Sequence, residues 1–152
     1  NLANWNSASQ VVISGEKRAV EETARRLGAK AVFLPVSAPF HSELMLPAEE
    51  KLALDLDRVH FADPRFPVIN NWQAQKVMRG EDARTGLKRQ VSRPVLWHET
   101  MEALLADAAI AGFAEIGSGR VLAGLLKRAA RDRKRDIQIV NIENLADIEK
   151  NP

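Results

Sequence analysis

Hydrophobic positions along this chain switch between a period of two and a period near 3.6. Residues 10–14, Gln-Val-Val-Ile-Ser, form a β-branched run that stops at Gly15 and predicts a short strand. Val20, Thr23, Ala24 and Leu27 then recur at helical spacing, and Gly28 supplies a C-terminal stop. Residues 31–36 read as a second short apolar strand, so the opening third is strand-helix-strand, with the helix covering one sheet face. Ser42 suits an N-cap, and Pro47 suits the first turn of a helix that continues through Leu52 and Leu56. His41 therefore sits just ahead of a helix. Pro64 and Pro67 punctuate the next loop, and Val68-Ile69 before Asn70-Asn71 reads as a buried strand with a polar end.

The second half repeats the alternation. Residues 82–91 predict a modest helix closed by Pro94, and residues 99–111 a longer one with Met101, Leu104, Leu105 and Ala108 on one face and Gly112 at its end. Residues 113–116 form a strand, Gly117-Ser118-Gly119 a turn, residues 121–130 a helix and residues 137–142 a last strand. Alternation of this kind predicts an α/β layered fold with mostly parallel pairing and a small strand-helix-strand appendage at the front.

Composition narrows the class. The chain has 152 residues and is 45% apolar, enough for one domain with a core or for part of a larger one. Its 22 basic and 20 acidic side chains leave a net charge of +2, too balanced for charge alone to point to nucleic acid. With no cysteine there is no disulfide, thiolate metal site or cysteine nucleophile, which fits a cytoplasmic location. No stretch approaches the roughly 20 consecutive apolar residues of a membrane span. The start, Asn1-Leu2-Ala3-Asn4-Trp5-Asn6, lacks methionine and reads equally as a mid-protein cut or a trimmed terminus.

His41 is the first candidate for chemistry, because an imidazole at a strand-to-helix corner can act as a base. By spacing alone, a packed or solvated loop histidine is the commoner outcome. A base of this kind normally serves a serine on a Gly-x-Ser-x-Gly elbow, and the chain contains no such pattern. His60 and His98 have no partners at metal-ligand spacing, so no metal site is expected. Gly117-Ser118-Gly119, with Gly124 beyond, superficially resembles a phosphate-cradling turn, but it lacks the lysine and hydroxyl of a P-loop, so a tight strand-to-helix turn is the better reading. Lys127, Arg128, Arg131, Arg133, Lys134 and Arg135 crowd a helix end, where cations meet the negative end of its dipole or could dock an acidic partner.

Taken together, several segments resemble the malonyl-CoA:acyl carrier protein transacylase family, related to the acyltransferase domains of polyketide and fatty-acid synthases. The telling segments are Asn4-Trp5-Asn6 with Gln10-Val11-Val12-Ile13-Ser14-Gly15, and Leu34-Pro35-Val36-Ser37-Ala38-Pro39-Phe40-His41-Ser42 with Leu44-Met45 and Pro47-Ala48. Pro67-Val68-Ile69-Asn70-Asn71, Arg89-Gln90-Val91 with Arg93-Pro94-Val95-Leu96-Trp97, and Glu115-Ile116-Gly117-Ser118-Gly119-Arg120-Val121-Leu122 with Gly124-Leu125 and Lys127-Arg128 complete the set.

That resemblance implies the second half of a ferredoxin-like small subdomain over residues 1–36 and the C-terminal part of an α/β-hydrolase-like acyltransferase core over residues 37–152. It implies that His41 is the catalytic base and that the main-chain carbonyl of Gln90 orients it. Phe40 resembles the bulky residue associated with malonyl selection, and Asn4 falls in a segment lining the family's site. The implied reaction moves a malonyl group from coenzyme A to the phosphopantetheine thiol of acyl carrier protein through a serine acyl-enzyme, with malonyl-CoA as substrate and no cofactor. The elbow serine, an early glutamine loop and the carboxylate-binding arginine belong to an N-terminal half that is not among these residues. The implied partners are that serine-bearing half, the coenzyme A thioester and acyl carrier protein, with neither nucleic acid nor membrane expected. A rival reading is a non-catalytic module that docks an acidic carrier protein through the basic cluster.

Overall fold

A computed structural model describes residues 1–28 and 31–150. Residues 29, 30, 151 and 152, which fall within the expected segments 1–36 and 37–152, lie outside the described residues. Helices and strands are mixed, and the chain divides into two compact units, Asn1–Trp97 and His98–Pro152.

The first unit opens with β1 (Leu2–Ser7) paired antiparallel to β2 (Gln10–Ile13). The polar alternation of Leu2 to Ser7 hid β1 from the hydrophobic pattern. Its other edge is occupied as well: Trp5 N–H donates to the Val95 carbonyl at 2.9 Å, and Val95 N–H donates to Ala3 O at 2.8 Å. A strand so placed satisfies its backbone on both sides. Helix α1 (Lys17–Leu27) follows, and Gly28 closes it at φ 54°, the left-handed conformation glycine adopts without strain.

Residues 31–36 form no strand, contrary to the sequence expectation. Their apolar side chains stand in the open, with Val32 83% and Phe33 64% exposed. A strand requires a ladder partner, and no described segment pairs with this one. A 3₁₀ turn (Glu43–Met45) leads into α2 (Leu46–Leu56), whose first turn contains Pro47. Ser42 precedes the 3₁₀ turn but makes no side-chain cap; its hydroxyl turns back to the Pro39 carbonyl instead.

β3 (Val68–Ile69) and β4 (Lys76–Val77) form a minimal hairpin. Val68 is exposed and Ile69 only half-buried, so the buried strand expected here is a half-open edge instead, because β4 is its only neighbour in the described sheet. Helix α3 (Gly80–Gln90) starts two residues before its expected position because Asp63 Oδ1 accepts the Gly80 N–H at 2.7 Å. Gly80 is also sterically required, since a Cβ there would lie 2.1 Å from Phe61 O.

Helix α4 (Trp97–Ala106) begins and ends earlier than the pattern suggested. The Arg135 guanidinium explains its end. It donates to the carbonyls of Leu104, Leu105, Asp107 and Ile110, taking over acceptors that further helical turns would have used. The second unit then runs β5 (Gly112–Ile116), α5 (Val121–Asp132), β6 (Gln138–Ile142) and α6 (Leu145–Lys150), with β5 and β6 parallel. Buried apolar side chains concentrate on α4 (Met101, Leu105) and α5 (Ala123, Leu126, Ala129, Ala130). Helix α6 escaped notice for want of an apolar stripe; Asp147 Oδ2 starts it by accepting the N–H groups of Glu143 and Asn144.

Mostly parallel pairing does not hold among the described strands. The β1–β2 and β3–β4 connections are too short for a crossover and can close only antiparallel hairpins, whereas β5 and β6 are separated by a full helix.

Candidate active site

Three hydrogen bonds fix the corner that carries His41. Ser42 Oγ donates to Pro39 O at 2.6 Å, closing the turn. Ser14 Oγ, just past the end of β2, donates to Phe40 O at 2.7 Å. The third runs between His41 Nδ1 and the main-chain oxygen of Gln90, 2.8 Å apart, at the C-terminal end of α3. A carbonyl oxygen can only accept, so Nδ1 carries the proton and the neutral imidazole keeps its lone pair on Nε2. Among the described residues Nε2 has no hydrogen-bond partner. The ring is therefore oriented, in a defined tautomer, with its basic nitrogen uncommitted.

His41 also holds φ 57°, a left-handed conformation that a non-glycine residue adopts at a cost of about 1 kcal/mol or more. Buried Ser42 and the Ser14 bond keep the main chain in that state from both sides.

Gln90 is placed with equal care. Its side-chain Nε2 donates to Arg93 O at 3.1 Å and Pro94 O at 3.2 Å, folding the segment after α3 into a turn. Val95, next along, pairs with β1 on both sides of Asn4. On the α2 side, buried Glu49 receives Arg89 Nη1 at 3.0 Å and the Ser92 hydroxyl. Sequence reading missed Ser14, Glu49, Arg89 and Ser92 as supports, because bonds between residues 26 to 43 positions apart leave no mark in local spacing.

Of the four residues singled out from sequence, His41 and Gln90 are joined directly. Phe40 precedes the imidazole and is 48% exposed as a residue. Asn4 sits half-buried on β1, and its amide makes no hydrogen bond among the described residues.

The glycine turn and part of the basic cluster have structural explanations. At the start of α5 the N–H groups of Leu122 and Ala123 are 3.0 and 2.8 Å from the Glu115 carboxylate, which also accepts Asn141 Nδ2 at 2.9 Å. The donors that could hold a phosphate are thus taken by the chain's own anion, and chiefly the Ala123 bond holds the Glu115 carboxyl below its ordinary value. In the basic cluster, Arg133 pairs with Glu102 and Arg135 caps the end of α4. Among the described residues no group of three His, Cys, Asp or Glu could hold a metal ion, and no helix is long and apolar enough to cross a membrane.

No protein-family profile matches the chain. Individual relatives do. Malonyl CoA-acyl carrier protein transacylase of Haemophilus influenzae is 41% identical over 150 residues, covering 96% of this chain and 46% of that protein. The crystal structure of malonyl-CoA:ACP transacylase from Synechocystis sp. superposes with a TM-score of 0.90 at 35% identity, over 99% of this chain and 50% of that one. The chain belongs to the malonyl-CoA:acyl carrier protein transacylase family. A further transacylase structure, solved in complex with a type II PKS acyl-carrier protein, matches with a TM-score of 0.86 at 38% identity, over 99% of this chain and 48% of that one. The chain thus spans about half the length of the transacylases it matches, and the part matched is their C-terminal part. Its α/β class is that of the transacylase structures.

Proposed function

We propose that this chain supplies the base side of an acyl-transfer site that moves a malonyl group from coenzyme A to the phosphopantetheine thiol of acyl carrier protein. The observation that carries this reading is the 2.8 Å contact between His41 Nδ1 and Gln90 O, which leaves Nε2 as a ready proton acceptor. The nucleophile is a serine supplied by polypeptide outside these 152 residues. His41 Nε2 takes the proton of its hydroxyl as the oxygen attacks the thioester carbonyl. The coenzyme A thiolate then leaves and receives that proton. In the second half-reaction the pantetheine thiol gives its proton to Nε2 and attacks the acyl-serine, and the serine oxygen recovers the proton on departure.

A carbonyl in the place of an aspartate fixes the tautomer without burying a second charge. Phe40, exposed beside the imidazole, narrows the space for an α-substituent on the acyl group, and the free amide of Asn4 is a polar contact for substrate. Exposed apolar side chains, Val32, Phe33, Leu34 and Val36 in one unit and Ile116 and Val121 in the other, support a larger assembly that covers them.

The test is to join the chain to the N-terminal half of the Haemophilus influenzae transacylase and add malonyl-CoA. A malonyl adduct on the elbow serine, passed on to holo acyl carrier protein and lost with His41→Ala, is the expected result. A stoichiometric adduct on the chain alone, or transfer indifferent to His41→Ala, sinks the proposal.

A further inference from the structure

The segment that presents the Gln90 carbonyl is gripped on both sides by one side chain. Glu49, in the first turn of α2, is 6% exposed. Its Oε1 accepts Arg89 Nη1 at 3.0 Å, and its Oε2 accepts the hydroxyl of Ser92, itself 2% exposed. Arg89 precedes Gln90, and Ser92 follows it by two residues. His41 lies five residues before α2, and its ring reaches the same α3 end. Two struts therefore join the His41–α2 segment to the end of α3, and the Gln90 carbonyl lies between the anchor points of one of them.

We propose that Glu49 is a positioning residue. By holding Arg89 and Ser92, its carboxylate keeps the Gln90 carbonyl within bonding distance of His41 Nδ1, and so sets the tautomer that leaves Nε2 basic. A buried carboxylate suits this task. It accepts from two donors at once, and its bonds are charge-assisted, so the strut is stiffer than a neutral one. Moving the carbonyl by a few tenths of an ångström would weaken the Nδ1 bond and release the ring. The inference rests on the acyl-transfer reading for its importance, but its geometry can be tested without any turnover.

The experiment is ¹⁵N NMR of the histidine side chains in the whole chain, comparing wild type with Glu49→Ala and Glu49→Gln. In the wild type, His41 should show a protonated Nδ1 that exchanges slowly with solvent. Glu49→Ala should accelerate that exchange about tenfold, in proportion to a hydrogen bond of ordinary strength, and let the tautomer drift toward Nε2–H. Glu49→Gln, which retains the volume and the Ser92 contact, should lie between. Circular dichroism separates these outcomes from unfolding. An unchanged His41 signal in a folded Glu49→Ala protein overturns the proposal. So does loss of fold in both variants, which would make Glu49 a stability residue only. A changed His41 signal together with an inactive joined enzyme would leave the positioning role standing and refute the acyl-transfer reading instead.

Discussion

Two corners that lead into helices in this chain are built to opposite specifications. At the start of α5 the positive-φ positions are glycines, Gly117 at 133° and Gly119 at 89°, and the free N–H groups of the helix are satisfied by Glu115 from the preceding strand. Ahead of α2 the positive-φ position is His41 itself, held against its conformational preference by Ser14 and the buried Ser42, with one ring nitrogen bonded and the other free. A corner that is relaxed and internally satisfied is explained by folding alone. One that holds a strained, half-committed imidazole is the arrangement that the proposed proton transfer would use.

The largest expected effect breaks the second corner. His41→Ala in the joined enzyme should lower malonyl transfer to acyl carrier protein on the order of 10³-fold, the range for loss of a positioned base. Substrate binding should change far less, so the loss should fall on kcat. A fall confined to KM would mean that the imidazole binds rather than reacts, and the contrast between the corners would lose its chemical meaning.

Backbone substitutions sharpen the contrast next. Gly119→Ala should destabilise the protein by about 1–2 kcal/mol in urea melts, wholly through φ, because no atom lies within 4 Å of the added Cβ. At His41 the sign reverses. His41→Gly and His41→Ala lose the same Gln90 bond, so their difference isolates strain, and the glycine variant should be the more stable by roughly 1 kcal/mol. Equal stabilities would mean that the His41 corner is no more strained than the other, and the argument from strain would fall.

Much of this contrast could be read from the chain before its coordinates. The β5–α5–β6 unit was legible because its strands are apolar and its helix has an uninterrupted stripe at Ala123, Leu126 and Ala130. His41 and Gln90 emerged from the resemblance, whereas by spacing alone the histidine was one loop residue among many. The strand expected at residues 31–36 was misleading because an apolar run records only a tendency to be buried, while strand formation requires a partner that no described segment provides. β1 was missed for the opposite reason: Asn4 and Asn6 break its pattern, yet β2 and Val95 pair with it from both sides. Supports such as Glu49 with Ser92 join positions 43 residues apart, a relation that no local pattern encodes.

The gentlest test is acidification. Glu115 titrates below its ordinary value of 4.5, first because the Ala123 N–H bonds its charged form, then because Leu122 and Asn141 do, with burial opposing. A carboxylate lowered in the folded state contributes stability above its unfolded value and loses it as pH falls through the folded one. Protection of the Leu122 and Ala123 amides against hydrogen exchange should therefore hold from neutral pH to about 4.5 and decline below it. Glu102, lowered by its hydrogen bond to Arg133, shifts in the same direction, so Glu102→Gln is the necessary control. In Glu115→Gln the decline should disappear, because the two amides are already less protected at neutral pH. At the other corner the Met45 amide bonds the Ser42 carbonyl at 2.9 Å, and the Ser14 and Ser42 anchors beside it are hydroxyls on main-chain oxygens, which do not titrate. Its protection should stay level while that of Leu122 and Ala123 falls. If all three amides lost protection together, acid would be unfolding the whole chain, and the separate characters assigned to the two corners would have no support from pH.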